Sequence, residues 1–279
     1  MRPPGMAGGV GITAQRIGDR TRLTSVRSRP PLQVLRAHYL APALPDIAMV
    51  TLASTAGGVL QGDRLEIDIT VGRGARLLVG TQSATRLYAA PLAEARIETS
   101  LHVASGGYLE YLPDPYIPFA GSRLTSRTRC LSHPDATVVV SEIVAPGRVA
   151  RGEVHAFARF ESVVEVLAGD GSLIASDVVL LEPGADLASI GMLGGYRVVG
   201  SLVVLHSAFD PSILRDALAA DEGTDGDVVW GSSRLPGDAG AWLRVLAMET
   251  GTAAAAIDHA TEAVRQHVLG AGVPASRRP

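Results

Sequence analysis

The chain has 279 residues, a formal net charge of −3 and a hydrophobic fraction of 47%. That is enough apolar material for a sizeable core, as one large domain or two small ones, and nothing in the charge suggests a nucleic-acid binder, which would normally show a basic patch or stripe. All 25 basic residues are Arg. With no Lys there is no Walker P-loop, no kinase strand lysine and no Schiff-base amine. The Lys-free composition itself reads as a coding bias. The single cysteine, Cys130, leaves no internal disulfide and gives no support for a secreted, stapled fold. The N-terminus carries no apolar leader of useful length, and no apolar run approaches about 18–20 residues. A soluble cytoplasmic protein without membrane spans is expected.

In chain order, residues 1–17 are rich in Gly, Pro and Arg and read as a flexible N-terminal tail, with a single domain over 18–279. Strand patterns begin near Thr21. Leu65, Ile67, Ile69 and Val71 alternate with Glu66, Asp68 and Thr70, the period of a half-buried strand. Gly72-Arg73-Gly74 turns the chain into Ala75–Val79. Ile97, Leu101 and Val103 mark the next strand, and Ser105-Gly106-Gly107 turns into Tyr108–Leu112. A Pro-punctuated loop, Pro113–Phe119, follows. Thr137–Val144, Phe157–Leu167, Ser172–Leu181 and Tyr196–Leu205 continue the rhythm.

Strands at this spacing predict a mainly β fold: a sandwich, a barrel or a helix-like coil of strands. No strict repeat of 20–50 residues is visible. Two helices are expected late. Asp210-Pro211 is an N-cap followed by Pro, opening Ser212–Ala220. Thr252–Leu269 carries Ile257, Ala260, Val264 and Val268 on one face and can stop at Gly270. A polar, acidic loop, Ala219–Asp227, lies between them.

The sequence holds no H-E-x-x-H, C-x-x-C, G-x-S-x-G or G-x-G-x-x-G. Its seven His share no ligand spacing, so a closed zinc site is not expected. The acids are more informative. Asp63 follows Gly57-Gly58-Val59-Leu60-Gln61-Gly62 and either binds turn amides or is a functional carboxylate. Glu142 shares a strand face with Val138, Val140 and Val144, while Val139 and Ile143 line the other. A carboxylate there must be paired, protonated or beside a wet cavity. Arg148 and Arg151 are the nearest partners in sequence. Glu153 has the same two readings, and Asp177 reads as a turn or strand-end residue. Thr81-Gln82-Ser83-Ala84-Thr85 offers only oxygen donors, which hold a borderline divalent ion weakly or simply cap a strand end.

Four stretches, in this order, resemble the urease accessory protein UreD family, called UreH in some organisms: GGVLQGDRL (57–65), TQSATRLY (81–88), EYLPDPYIPFAGSRL (110–124) and SEIVAPGRVARGE (141–153). GSSRLPG (231–237) and the last helix are compatible with it. The chain departs from the family pattern at Arg86, where Lys is usual, and at Val154-His155, which intervene before Phe157.

The resemblance implies an irregular β-helix-like stack of strands with two C-terminal helices. It implies no catalysis and no tightly bound cofactor. The implied role is a scaffold that binds UreF, the GTPase UreG and apo-urease, in a 2:2 complex with UreF, and passes transient nickel along an interior route. Carried over by position, that route would use Asp63, Gln82, Thr85 and Glu142, with Glu153 and Asp177 in support, and Glu142 would face a water-filled passage. The mean hydropathy of +0.22 fits a chain that needs a partner for solubility. The rival readings are a hydrolase using Asp63 with Glu142 or Glu153, and a non-catalytic small-molecule-binding β domain.

Overall fold

The structure, a computed structural model, describes residues 5–183, 186–207, 209–219 and 226–272. Its strands are β1 (Ala7–Ile17), β2 (Arg20–Arg29), β3 (Leu32–Val34), β4 (Ala48–Ser54), β5 (Arg64–Val71), β6 (Arg76–Thr81), β7 (Thr85–Leu87), β8 (Ala95–Val103), β9 (Tyr108–Leu112), β10 (Tyr116–Pro118), β11 (Arg123–Ser132), β12 (Thr137–Val144), β13 (Arg159–Leu167), β14 (Leu173–Leu181), β15 (Val198–Leu205), β16 (Val228–Arg234) and β17 (Gly240–Ala247). The helices are α1 (Ser212–Ala219) and α2 (Thr250–Leu269).

From β4 to β13 the long strands alternate between two sheets. The first sheet runs β14-β13-β11-β8-β5-β1-β2 and the second β16-β17-β15-β12-β9-β6-β4-β3, with short β7 and β10 attached to the second. Within the first sheet β1, β5, β8, β11 and β13 are parallel neighbours. Within the second, β4, β6, β9 and β12 are parallel neighbours. This is a flattened β-helix-like coil, as the strand rhythm and the resemblance lead one to expect. Antiparallel strands finish it: β14 joins β13, and β15, β17 and β16 extend from β12.

Alternation explains the two cores. In β5 the residues Leu65, Ile67, Ile69 and Val71 point inward and Arg64, Glu66, Asp68 and Thr70 outward. The inward sets of both sheets form the main core. β12 and β15 are buried on both faces because the second sheet is covered twice, by the first sheet within and by α1 and α2 without. On that outer side Val139, Ile143, Leu202, Leu243 and Val245 meet Ile257, Ala260 and Val264.

α1 opens where Asp210 Oδ1 accepts the amide of Ser212 at 2.9 Å. α2 ends at Gly270, whose φ of 69° lets its amide return to Gln266 O. The acidic loop expected at 219–227 lies largely outside the described residues.

One expectation is overturned. Residues 7–17 are not a loose tail; they form β1, paired on both sides. Val10, Ile12 and Ala14 are buried in the main core. The glycines that suggest looseness are there for closeness: a Cβ on Gly9 would lie 2.4 Å from Glu66 O. Pro113–Phe119, expected as loop, contains the short β10.

α2 is fastened to the second sheet by an ion pair. Arg265 Nη2 and Nε bond both oxygens of Glu110 at 2.7 and 2.8 Å, and Glu110 is fully buried. Tyr108 Oη donates to Glu110 Oε1 at 2.5 Å. Burial, then the Glu110 charge, pushes the Tyr108 phenol well above its ordinary value. Removing one partner of such a pair strands the other charge in the interior. Arg265→Ala should therefore cost roughly 3–5 kcal/mol in equilibrium denaturant unfolding. A loss below about 1 kcal/mol, the range of an exposed pair, would show that the pair does not hold the helix.

Candidate functional site: a polar row between the sheets

The inner faces of both sheets are mostly Val, Leu and Ile, so the polar residues among them stand out. At one end, Gln82 and Thr85 border an inter-sheet cavity of about 310 Å³. Leu65, Ile67 and Ile97 wall it from the first sheet, Leu52 and Tyr111 from the second, with Tyr116 beside them. Its rim is built by two of the motif stretches. Val59 N donates to Arg86 O at 2.8 Å and Tyr88 N to Val59 O at 2.9 Å. Gly58 is required there, since a Cβ would lie 2.6 Å from Arg86 O.

Deeper in, the Tyr111 phenol meets Thr99 and the Tyr116 phenol meets Ser126, each pair joining the two sheets. Burial raises the Tyr111 phenol to about 12, and the Glu142 charge adds to the effect. Tyr116 is raised further, by burial first and by Glu142 next. Glu142 is part-buried and accepts from Ser162 Oγ at 2.7 Å across the gap between the sheets.

Beyond it, Glu142 faces Ser201 on β15, and Ser201 faces Arg244 on β17. Arg244 Nη1 donates to Ser201 Oγ at 2.5 Å, and Arg244 Nη2 to Asp177 Oδ1 at 2.6 Å. The row thus runs from the Gln82–Thr85 rim, past two tyrosines, to Glu142, Asp177 and Arg244.

Burial lifts the Glu142 carboxyl from an ordinary 4.5 to about 7; Ser162 opposes the shift, the Asp177 charge adds to it and Arg244 opposes it. Burial also raises Asp177, against the pull of Arg244.

The structure brings some of the sequence candidates together and leaves others apart. Glu142 and Asp177 belong to one cluster, and Gln82 and Thr85 to the rim. Asp63 lies elsewhere, only 2% exposed. Its Oδ1 accepts from Met6 N and its Oδ2 from Leu60 N, both at 2.8 Å. It fastens the glycine turn and the start of β1, helped by Gly62 at φ 75°.

Glu153 is taken by Arg148, which bonds both its oxygens, and by the Ala120 amide at 3.1 Å. Arg148 therefore does not partner Glu142, contrary to the reading from sequence proximity. Strand geometry explains why: Glu142 points between the sheets, while Arg148 sits in the loop after β12, stacked 4.1 Å over Phe119. The oxygens of Asp63 are held by backbone amides and those of Glu153 by Arg148 and the Ala120 amide.

Sequence reasoning alone does not find Arg244, Ser162, Ser201, Tyr111 or Tyr116. The available signal is a polar side chain on the apolar face of an alternation: Arg244 lies between Trp242 and Leu246, opposite Leu243 and Val245. Among the described residues no group of three or more His, Cys, Asp or Glu is placed to hold a metal ion. No helix there is long and apolar enough to cross a membrane.

Comparison with known proteins places the chain in the class of urease accessory proteins. The family described as UreD urease accessory protein matches residues 7–279. Curated relatives agree. The chain is 37% identical to the urease accessory protein UreD of Haloarcula marismortui, over 99% of this chain and 91% of that protein. It is 35% identical to UreD 2 of Streptomyces griseus, over 94% and 90%, and 34% identical to UreD 2 of Brucella suis, over 93% and 87%. The chain belongs to the UreD family, and its role is in urease maturation. The resemblance carried by the four motif stretches is borne out over nearly the whole chain.

The Glu142 environment has a thermodynamic signature. The carboxyl is raised in the folded state, so the fold binds more protons than the unfolded chain between pH 4.5 and 7. Stability is therefore unpenalised below about pH 4.5 and falls as pH rises through about 7. The loss should be on the order of 1–3 kcal/mol, since each tenfold change in proton affinity is worth about 1.4 kcal/mol before solvent discounts it. Glu142→Gln should flatten this part of the stability–pH curve, measured by urea unfolding. An unchanged slope would mean that Glu142 is not the desolvated group.

Proposed function

We propose that the chain is a non-catalytic scaffold of urease maturation. It binds UreF, UreG and apo-urease, in a 2:2 arrangement with UreF in the cytoplasm, and guides nickel towards the urease active site through its interior. Family membership supports the role. The observation that carries the interior route is the row of polar side chains from Gln82 and Thr85 to Glu142 and Asp177, set in an otherwise apolar space between two sheets. Polar groups there cost free energy unless they serve a purpose or satisfy one another.

The donors suit a passing ion. They are oxygens of carboxylates, hydroxyls and an amide, which hold a borderline divalent cation loosely, and they are spread along a path. Gln82 and Thr85 would receive the ion at the rim, and Glu142 and Asp177 would supply the negative charge further in. Asp63 and Glu153 act as supports, since backbone amides and Arg148 already engage their oxygens. GTP hydrolysis is left to UreG, because this chain has no Lys for a P-loop.

The test is co-expression with the cognate urease, UreF and UreG. Glu142→Gln and Asp177→Asn should each lower urease activation at least tenfold, with unchanged pull-down of UreF and unchanged urease protein. Full activation by the double variant would overturn the interior route, and failure of the native chain to co-elute with UreF in size exclusion would overturn the scaffold reading.

A further inference from the structure

We propose that Arg244 is a tethered cation that holds the acidic end of the polar row closed and is displaced when a divalent metal ion arrives. The inference rests on the interior route proposed above and adds its gate.

The geometry comes from register. Glu142, Ser201, Arg244 and Gly231 are successive partners across β12, β15, β17 and β16, one transverse row of the second sheet. Ser162 and Asp177 face this row from the first sheet. The row ends at Gly231, where a Cβ would meet nothing within 4 Å, so the sheet is open to solvent just past Arg244. The Arg244 side chain is 31% exposed, whereas Asp177 behind it is only 7% exposed. Arg244 therefore reaches in from the open end and covers the acid. Its guanidinium also lies 5.2 Å over the Trp242 ring, an apolar face along which it can swing without losing every contact.

The charges say what the arrangement can exchange. With Arg244 in place, one fixed positive charge answers Asp177 and lies beside Glu142. Without it, two carboxylates and the hydroxyls of Ser162 and Ser201 remain, a set of hard oxygen donors that a divalent cation engages by displacing the carboxyl protons. An arriving cation and the guanidinium repel each other in a poorly screened interior. Arginine cannot yield by losing its proton, as a buried lysine can. It can only move, and the open side at Gly231 is where it can go. Trp242 has a buried indole N–H with no partner among the described residues, which the water shell of an entering ion would satisfy. Arg244 is thus a positioning residue: it keeps the end closed.

Binding of Ni²⁺ to the purified chain in complex with cognate UreF, measured by calorimetry, tests the gate apart from urease activity. Arg244→Gln should tighten Ni²⁺ binding at least tenfold, and adding Asp177→Asn to Arg244→Gln should abolish the gain. Thermal unfolding of each variant shows whether the fold is retained; if Arg244→Gln does not fold, Arg244→Met carries the same expectation. Ni²⁺ affinity equal to the native chain's in the folded variant would overturn the gate. The route itself is read separately. If Glu142→Gln abolishes urease activation while Arg244→Gln binds Ni²⁺ no better than the native chain, the gate alone falls. If Glu142→Gln activates urease normally, the route falls as well.

Discussion

A strand in a closed two-sheet coil must send every second side chain into the space between the sheets. Most of the structure follows from that constraint. The long strands from β4 to β13 pass alternately through the two sheets, so each turn of chain adds one strand to each wall. The inward residues of every strand meet those of the facing sheet in one continuous core. Any polar residue at an inward position is committed to the interior and must find a partner across the gap or along the row. Thr99 with Tyr111, Ser126 with Tyr116 and Ser162 with Glu142 meet that need across the sheets. Ser201 and Asp177 meet it through Arg244.

The second sheet carries a heavier burden, because it is the middle layer. Its inner face holds Glu142 and Arg244, and its outer face packs against α2 through Val139, Ile143, Leu243 and Val245. The same strands thus have one face of dry apolar contact and one with charge. The outer face is itself braced by a buried ion pair, Arg265 with Glu110, whose strand lies beside β12. Rigidity on the helix side keeps the polar side in register: a slip of one residue would turn Glu142 into the helix contact and Ile143 into the row.

Much of this is legible in the sequence, and the limits have physical causes. A strand whose inward residues are all apolar, such as β5, announces itself by alternation. β12 is legible to the residue, with Glu142 as the odd member of its face. β11 is not, because Ser126 and Thr128 point inward and Thr125 and Arg127 outward, so that hydrophobicity barely alternates. β1 reads as a tail when glycine's entropy is weighed and its capacity for close approach is not. At the site, Glu142 can be singled out locally, but its partners lie 20 residues away on β13 and further off on β14 and β17. Proximity in sequence points instead to Arg148, which serves Glu153. Long-range pairing is set by topology, and local pattern does not carry it.

The placement of Arg244 turns this topology into a functional asymmetry. The rim at Gln82 and Thr85 carries no carboxylate and includes Arg86 beside its small polar groups. The far end is charged and closed by Arg244 over Asp177. On the proposed route, a cation entering at the rim would meet no carboxylate before Glu142, so attraction would be concentrated at the far end. At its end a migrating ion would meet the tethered guanidinium of Arg244, which repels it. A path that only attracted would retain its cargo; the proposed route ends against a displaceable cation, which would favour release of the ion. Arg244 can play that part because its side chain is anchored on β17, two residues from Trp242 and directly opposite Ser201, at the edge where the row opens beside Gly231.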